Sequence, residues 1–487
     1  MTDDPQRAAS PPAEAPTEPV APPDGKTPTH RAGKRSASAD GLFSGAYAAT
    51  TAVFAAVMFL TGLAALAVVP TLPTAARDLD GVSLYPLVAG CFVAASLLGG
   101  VLGGHWSDRA GAHRPLAAGM VLAVATLLVS GASTSIWQLA AGRFLDGLAG
   151  GMVAVAINAA IGQTYPDRLQ PRVLALMSTC WIVPSLVGPP LAGLVTEWWS
   201  WRAVFLGLAV LTLPPTLIVM TSLRRRSGPS APVPPGDGRP RPALLAATAV
   251  SLGAALGQYG VSGWDARHLL FAAGGLALLL LFAPRLLPPG TWRAARGLPV
   301  TVLLRGLGSG VFFTLEAFVP LMLVTERDVS PLGIGLAFTG AAIAWAAASW
   351  VQGRLLENHP RHRLVAIGAL ILAVAVAVAI VGTFPATPPY IAGSAMVVAA
   401  IGMGLLAPSL TVLSLSHSPP GRQGYASGAM QTNQNLGQLT VLGVSSAVLN
   451  ASLAFGATAP VGYGAAFGLL LVPCALAAAL ATRARRA

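Results

Sequence analysis

Two carboxyl groups lie deep inside long apolar stretches of this sequence. Of its 18 acidic residues, only Asp146 and Glu316 lie well inside segments that we predict to cross a membrane. A carboxyl group in surroundings of low dielectric constant resists ionisation, so its proton can be exchanged near neutral pH. Charged groups inside a membrane are energetically costly and usually mark a functional path. Both acids are therefore candidates for proton coupling, and a structural hydrogen bond is the alternative role for each.

A basic residue accompanies the first of these acids. Arg143 and Asp146 are three residues apart, which places both side chains on one face of a helix. A cation at the centre of a membrane helix costs about 2.5–3.5 kcal/mol on insertion scales, so it needs a cavity or a partner. We therefore include Arg143 in the predicted proton-coupling site, where it can pair with Asp146.

A stripe of amide side chains lies in an apolar stretch near the carboxyl terminus. Its members have the i, i+3, i+4, i+7 spacing of one helix face: Gln431, Gln434, Asn435 and Gln438. Lipid does not satisfy such groups, so they either line a cavity or hydrogen-bond to neighbouring helices. We favour a substrate cavity. Phe312 and Phe313, which precede Glu316, are candidates for its aromatic wall.

The composition of the chain is typical of a membrane protein. Only 10% of its residues are charged and 54% are hydrophobic, whereas soluble domains carry about 25% charged residues. Its three cysteines are isolated in apolar runs, so we expect no disulfide and no metal site. No nucleotide-binding loop or catalytic motif is recognisable. We expect no enzyme, no cofactor and, in spite of the net charge of +12, no nucleic-acid partner.

From Leu42 onward, apolar stretches alternate with short polar breaks. Each stretch is long enough to cross a hydrocarbon core of about 30 Å as a helix. The sequence thus predicts an all-α polytopic membrane protein with fourteen transmembrane helices. The predicted spans are 43–70, 84–106, 115–135, 137–164, 172–197, 202–223, 243–260, 268–284, 298–325, 331–354, 363–384, 390–416, 422–450 and 463–482.

The predicted domains follow from these spans. Residues 1–41 are rich in Pro, Ala and charge and cannot bury enough apolar surface to fold, which indicates a disordered cytoplasmic tail. The remaining predicted domains are a first six-helix half at 42–223, basic linkers with an extra helix pair at 224–297, and a second six-helix half at 298–483.

The basic residues are distributed unevenly over the predicted loops. With the amino terminus inside, all but six of the 30 Lys and Arg residues fall in cytoplasmic segments. This positive-inside bias predicts a multi-pass protein of the cell membrane with both termini cytoplasmic. The basic segments are then expected to contact the anionic lipids of the inner leaflet.

A short motif closes the second predicted span: Gly104, Asp108, Arg109, Gly111 and Arg114. Aligned without gaps, residues 353–363 repeat its glycine, its acid, a histidine and its final arginine. Internal repeats of this kind are common in secondary transporters. The motif resembles the cytoplasmic loop motif of the major facilitator superfamily. This resemblance implies the major facilitator fold and a charge latch at Asp108 and Arg109 that favours the outward-facing state; a solvated turn is the alternative.

The fifth predicted span resembles the antiporter motif of drug-exporting facilitators at Gly188, Pro189, Ala192 and Gly193. Two upstream glycines of that motif are replaced by Ala175 and Pro184. The segment around Arg143 is similar to a second motif of the superfamily. Fourteen spans are typical of the drug:proton antiporter group, although the first span lacks the aspartate that many members carry there.

The resemblance implies a secondary active transporter that exports small apolar or amphipathic compounds in exchange for protons, as in multidrug efflux. In this hypothesis substrate competes with protonation of Asp146 or Glu316 while the two halves alternate access. The expected partners are a small-molecule substrate, protons and membrane lipids, and a monomer is plausible. Three alternatives remain open: an exporter of one lipid or secondary metabolite, an importer, and a receptor or scaffold that does not transport.

Overall fold

A computed structural model describes residues 44, 47–166, 168–225, 241–418 and 423–485 of the chain. Within these residues the chain forms α-helices joined by short turns and 3-10 segments, without a β-strand. The predicted tail at 1–41 lies outside the described residues, as does the part of the predicted linker at 226–240.

The described helices are numbered in chain order. The first group is α1 Ala48–Val68, α2 Leu72–Asp78, α3 Tyr85–Ala110, α4 His113–Gly131, α5 Ile136–Thr164, α6 Gln170–Thr179, α7 Ile182–Trp198 and α8 Trp201–Arg225. A pair follows, α9 Arg241–Gly260 and α10 Ala266–Leu286. The last group is α11 Leu298–Arg327, α12 Pro331–Arg354, α13 Arg361–Thr383, α14 Pro389–Ser416, α15 Gln423–Ala454, α16 Ala459–Leu469 and α17 Leu471–Leu480.

The helices are long and apolar enough for a membrane protein. Within the described ranges, 12 helices or consecutive helix pairs can cross a membrane by length and composition. The predicted multi-pass all-α class is therefore confirmed. Helices α7 and α9 are shorter, because α7 has 17 residues and the apolar part of α9 is Leu244–Gly260.

Two predicted spans are interrupted, each three or four residues before a proline. The predicted span 172–197 is divided into α6 and α7 around Cys180, and the span 463–482 is divided into α16 and α17 at Leu470. Pro184 and Pro473 have no N–H to donate, and a proline ring clashes with the carbonyl group four residues earlier. Each of these spans therefore consists of two helices in series, and α16 and α17 together still form one stretch, Ala459–Ala484, that can cross a membrane.

The helices form two bundles around a common centre. Helices α1–α8 pack mostly against one another, and so do α11–α17; we call these groups the N-terminal and C-terminal bundles. We call the end of the molecule with the turn at Gly111 the loop end, and the end with the turn at Asp328 the far end. Helix α3 ends at the loop end, whereas α2 and α11 end at the far end.

The two bundles meet closely at the far end. Nη1 of Arg77 donates hydrogen bonds to Oδ1 of Asp328 at 3.0 Å and to the carbonyl oxygen of Val324 at 2.9 Å. The backbone N–H of Leu332 donates to Oε2 of Glu197 at 3.4 Å. These contacts join α2 and α7 of one bundle to the α11–α12 region of the other and close this end.

Helix α9 lies between the bundles on one side of the molecule, against α3 and α15. Gln258 of α9 is 2% exposed, and its Nε2 donates to the carbonyl oxygen of Leu439 at 2.8 Å. On the other side its Cγ lies so near Gly90 of α3 that a Cβ there would approach to 2.8 Å. One buried side chain thus contacts both bundles.

Glycines allow α3 and α5 to pack closely. A Cβ at Gly103 of α3 would lie 2.9 Å from Cα of Met152, and one at Gly99 would overlap the carbonyl group of Leu148. Backbones that approach this closely form a rigid pair, as in membrane helices with small residues four apart. This pair holds the segment of α5 that carries Arg143 and Asp146.

Candidate substrate cavity

A cavity of about 770 Å³ lies between the two bundles. Its walls come mainly from α1, α3 and α5 on one side and from α11 and α15 on the other. Most of the lining is apolar, with examples at Leu60, Ala64, Phe92, Val93, Phe313 and Leu442. Binding sites for small molecules generally have volumes of about 300–1,000 Å³ and a few polar groups on apolar walls.

Arg143 and Asp146 line the N-terminal side of this cavity as an ion pair. Nη1 of Arg143 donates to Oδ2 of Asp146 at 2.5 Å, and both residues are less than 10% exposed. The guanidinium group also lies 4.4 Å from the ring centroid of Phe92, a cation–π contact. The negative charge of Asp146 is therefore balanced within its own helix.

Glu316 lines the same cavity from the C-terminal bundle, on α11. It makes no hydrogen bond or ion pair with any residue that the structure describes. Phe313, one turn earlier, also lines the cavity. Phe312 lies behind the wall, where its ring packs edge-on against Trp345 at 5.1 Å. The structure thus places one of the two predicted aromatic residues on the cavity.

The amide stripe lies on α15 and faces the cavity. The structure places all four predicted members in the lining: Gln431, Gln434, Asn435 and Gln438. The neighbouring Asn433 points elsewhere, because its Nδ2 donates to the carbonyl oxygen of Val302 in α11 at 2.6 Å. The stripe therefore lines the cavity, while the residue between its members links two helices.

Arg305 of α11 was missed as a site residue by the sequence analysis. Its Nε and Nη2 donate to Oε1 of Gln434 at 2.9 and 2.6 Å, and no acid among the described residues pairs with it. Arg305 and Glu316 are eleven residues apart and therefore share a helix face. The sequence did contain a signal for it, because Arg305 lies inside the ninth predicted span. A cation within a membrane span needs a cavity or a partner, which is the argument that applied to Arg143 in the fourth span.

The predicted gating motif lies at the loop end, away from the cavity ions. Asp108 and Arg114 are exposed, and Asp108 has no hydrogen bond or ion pair in the described part of the chain. Arg109 contacts His105 one turn earlier. Gly111 ends α3 with φ of +79°, a conformation that favours glycine. Gly104 belongs to the last two turns of α3, half-buried beside Val155 of α5.

The antiporter-like motif lies in α7 where the two bundles meet. A Cβ at Gly193 would lie 2.9 Å from Cα of Leu332, and the backbone at Pro189 lies equally close to Gly335 of α12. Ala192 is buried in the same helix, and Gly188 faces Leu63 of α1. The motif therefore forms a close helix contact near the far end and does not line the cavity.

The fold has counterparts among solved structures of membrane transporters. A crystal structure of a peptide transporter POT in complex with sulfate has a TM-score of 0.67 at 15% identity and covers 90% of this chain and 95% of its own. The inward-open xylose transporter XylE from E. coli has a TM-score of 0.58 at 14% identity, with coverages of 88% and 95%. At these identities the likeness concerns the fold.

The family model of the Major Facilitator Superfamily matches residues 54–442. The chain belongs to this superfamily. A probable multidrug-efflux transporter of Mycobacterium tuberculosis is 26% identical to it over 460 residues, which are 90% of this chain and 96% of the relative. The methylenomycin A resistance protein of Streptomyces coelicolor is 25% identical over 386 residues, 78% of each chain. The fold and the relatives are those of transporters, not enzymes.

Proposed function

We propose that this chain is a proton-coupled exporter of small apolar or amphipathic compounds that works by alternating access. The observation that carries the proposal is a largely apolar cavity between the bundles that Asp146 and Glu316 both line. Its walls suit an apolar ligand, and the acids are groups that can exchange a proton. The names of the two relatives, multidrug efflux and drug resistance, favour export over import.

Glu316 is the better candidate for the proton carrier. A carboxylate without a partner in an apolar cavity is stabilised by taking up a proton, whereas Asp146 is already balanced by Arg143. Protonation of Glu316 and binding of substrate beside it then exclude each other. This exclusion couples the entry of a proton to the export of a substrate molecule. One proton entering down about 100 mV supplies about 2.3 kcal/mol, enough for a gradient of about fiftyfold in a neutral substrate.

The positive-inside rule places the loop end in the cytoplasm of a cell-membrane protein, with both termini on that side. In this orientation the far end faces outward. The far-end contacts of Arg77 and Glu197 support an inward-facing state, because they close the outer side. The segments 42–223 and 298–483 would rock as two units about the cavity.

Fourteen spans are part of the proposal, with α7 and α9 added to the twelve longer ones. The pair α9–α10 would then cross the membrane as a hairpin whose turn, at Asp265, lies outside. Cysteines introduced at Asp237 and Asp265 should be labelled by membrane-impermeant reagents from the cytoplasm and from outside, respectively. Labelling of both positions from one side would contradict the fourteen-span topology.

The coupling proposal is tested by neutralising the two acids. Glu316→Gln and Asp146→Asn keep the size of the side chains and cannot carry a proton. We expect Glu316→Gln, and the double variant, to lose uphill transport driven by a pH jump in inverted vesicles while downhill flux continues. Glu326→Gln, an exposed acid on the same helix, is the matched control. Full gradient-driven transport by the double variant would refute proton coupling through this cavity.

A narrower exporter is the second candidate, supported by the relative named for resistance to the single compound methylenomycin A. The cavity would then select one lipid or secondary metabolite. Competition between chemically unrelated compounds in the same vesicles separates the two cases. Mutual inhibition supports multidrug export, whereas inhibition by only one chemical class supports the narrower function.

A further inference from the structure

A second pocket, of about 450 Å³, lies at the loop end of the C-terminal bundle, outside the transport cavity. We call it the basic pocket. It is formed by the α12–α13 turn, the start of α13, the end of α14 and the carboxyl-terminal segment. Its lining consists of Glu357, His359, Pro360, Arg361, His362, Arg363, Leu413 and Arg485.

The basic pocket has an excess of positive charge. Three arginines and two histidines face one acid, Glu357. Arg363 and Arg485 both lie near enough to His362 to act on its charge, and all three arginines line the same pocket. No ion pair joins any of the three arginines to an acid in the described ranges. Such a cluster attracts an anion that can offer several oxygen atoms.

The amino terminus of α13 adds to this attraction. The helix begins at Arg361, and no side chain caps its first backbone N–H groups. The N-terminus of a helix carries a partial positive charge and exposes N–H donors, which is why phosphate groups bind there. The N–H of Arg363 donates to the carbonyl oxygen of Pro360 at 2.9 Å, so the pocket combines guanidinium groups with the remaining N–H groups at the start of the helix, those of Arg361 and His362.

An apolar stripe continues from the pocket along α13. Ile367, Leu370 and Val374 are exposed and follow Arg363 at spacings of four, three and four residues, so they share its helix face. A ligand held at Arg363 can therefore lay an apolar chain along this stripe. A free phosphate ion would gain nothing from it.

We propose that the basic pocket binds the phosphate headgroup of an anionic phospholipid whose acyl chain lies along the outer face of α13. This role also accounts for the second copy of the loop repeat. The arginine that follows the acid in the first copy, Arg109, is replaced by Asn358, while the final arginine is kept as Arg363. The second copy therefore lacks the latch arginine and presents its cations to the membrane surface. The proposal does not depend on the transported substrate.

The test is binding of a fluorescent phosphatidylglycerol to the purified full chain in a neutral detergent. Unlabelled phosphatidylglycerol should compete, whereas phosphatidylcholine and inorganic phosphate at equal concentration should not. Each arginine removed should weaken binding by about fivefold, as expected for one basic residue at an anionic surface. The variant Arg361→Gln/Arg363→Gln/Arg485→Gln removes all three. The control Arg168→Gln/Arg293→Gln/Arg296→Gln removes three exposed arginines elsewhere at the loop end and should bind normally.

A variant that should bind the lipid more tightly provides a second test, because misfolding can reduce binding but cannot increase it. Glu357→Gln removes the one acid of the pocket and should strengthen phosphatidylglycerol binding by about fivefold. Equal binding by the triple variant and its control would overturn the proposal. Competition by inorganic phosphate as strong as that by the lipid would overturn it as well, because the pocket would then be a site for a free anion.

Discussion

At the scale of single residues, the ionisable groups of the cavity differ in their surroundings. Asp146 has a cation at 2.5 Å, Arg305 has an amide oxygen at 2.6 Å, and Glu316 has neither. Within a membrane a charge with a partner is a stable structural element, and a charge without one is ready to change its state. The geometry therefore distinguishes the two predicted acids: Asp146 belongs to an ion pair, whereas Glu316, which has no partner among the described residues, is the acid that we propose as the proton carrier.

This division predicts how the protein responds to loss of Arg143. Arg143→Met leaves Asp146 as an unpaired buried charge and should lower the free energy of unfolding by about 3–5 kcal/mol. Arg143→Met/Asp146→Leu removes both charges and should recover most of that loss. Denaturant unfolding in detergent measures both variants. A double variant no more stable than the single one would mean that the pair has a role other than charge balance.

At the scale of helices, prolines and glycines determine the arrangement. Prolines divide two predicted spans, and glycines let α7 contact α12 where the bundles meet. In the proposed alternating-access cycle, we expect the contact at Gly193 to break when the far end opens.

Gly193→Val should disfavour the closed far end. Its side chain would overlap Pro331 and Leu332, and overpacking of this kind costs about 1–3 kcal/mol. The open fraction should then rise by about five- to 150-fold. A cysteine at Ala64 in the cavity wall, in a background without native cysteines, should be labelled faster by an impermeant reagent from outside. Gly207→Val, at an exposed glycine with open space around it, is the control; equal labelling of the two would contradict the role of α7.

The sequence predicts much of this architecture because membrane helices can be recognised by their length and hydropathy. The amide stripe could be placed on the cavity because its period matches a helix face, and the cost of intramembrane charge identified Asp146 and Glu316. The pairing of Arg305 with Gln434, 129 residues away, could not be predicted, because it depends on how α11 and α15 pack. Likewise, Phe312 and Phe313 are adjacent in sequence, and only the rotation of α11 decides which one lines the cavity.

At the scale of the whole molecule, the two ends of the transporter differ. The far end has the cross-bundle pair of Arg77 and Asp328, whereas Asp108 at the loop end has no partner in the described residues. A carrier that alternates access needs contacts that form at one end as they break at the other. The structure, in which contacts join the bundles at the far end and Asp108 at the loop end has no partner among the described residues, corresponds to the state in which the far end is closed.

Substitutions at the two ends should therefore act in opposite directions. Arg77→Gln removes an exposed ion pair worth about 0.2–1 kcal/mol and should raise the far-end-open fraction by up to about fivefold. Asp108→Asn should lower that fraction and slow transport without weakening substrate binding. Spin-label distances between Ser83 and Ala386, both exposed at the far end, report the fraction. Shifts in the same direction would show that Asp108 is only part of a solvated turn.

The position of α9 has a consequence for how compounds reach the transporter. A solute dissolved in the bilayer can enter a central cavity only through a gap between neighbouring helices. Between α3 and α15 that route is occupied, because Gln258 contacts both helices and Asn450 of α15 donates to the carbonyl oxygen of Val261 just after α9 at 2.8 Å. Compounds that diffuse laterally in the bilayer are therefore blocked on the side of the molecule where α9 lies between α3 and α15. Such compounds would have to enter from the water or from the bilayer on the opposite side of the molecule. The apparent affinity for a compound would then depend on how it partitions between water and bilayer.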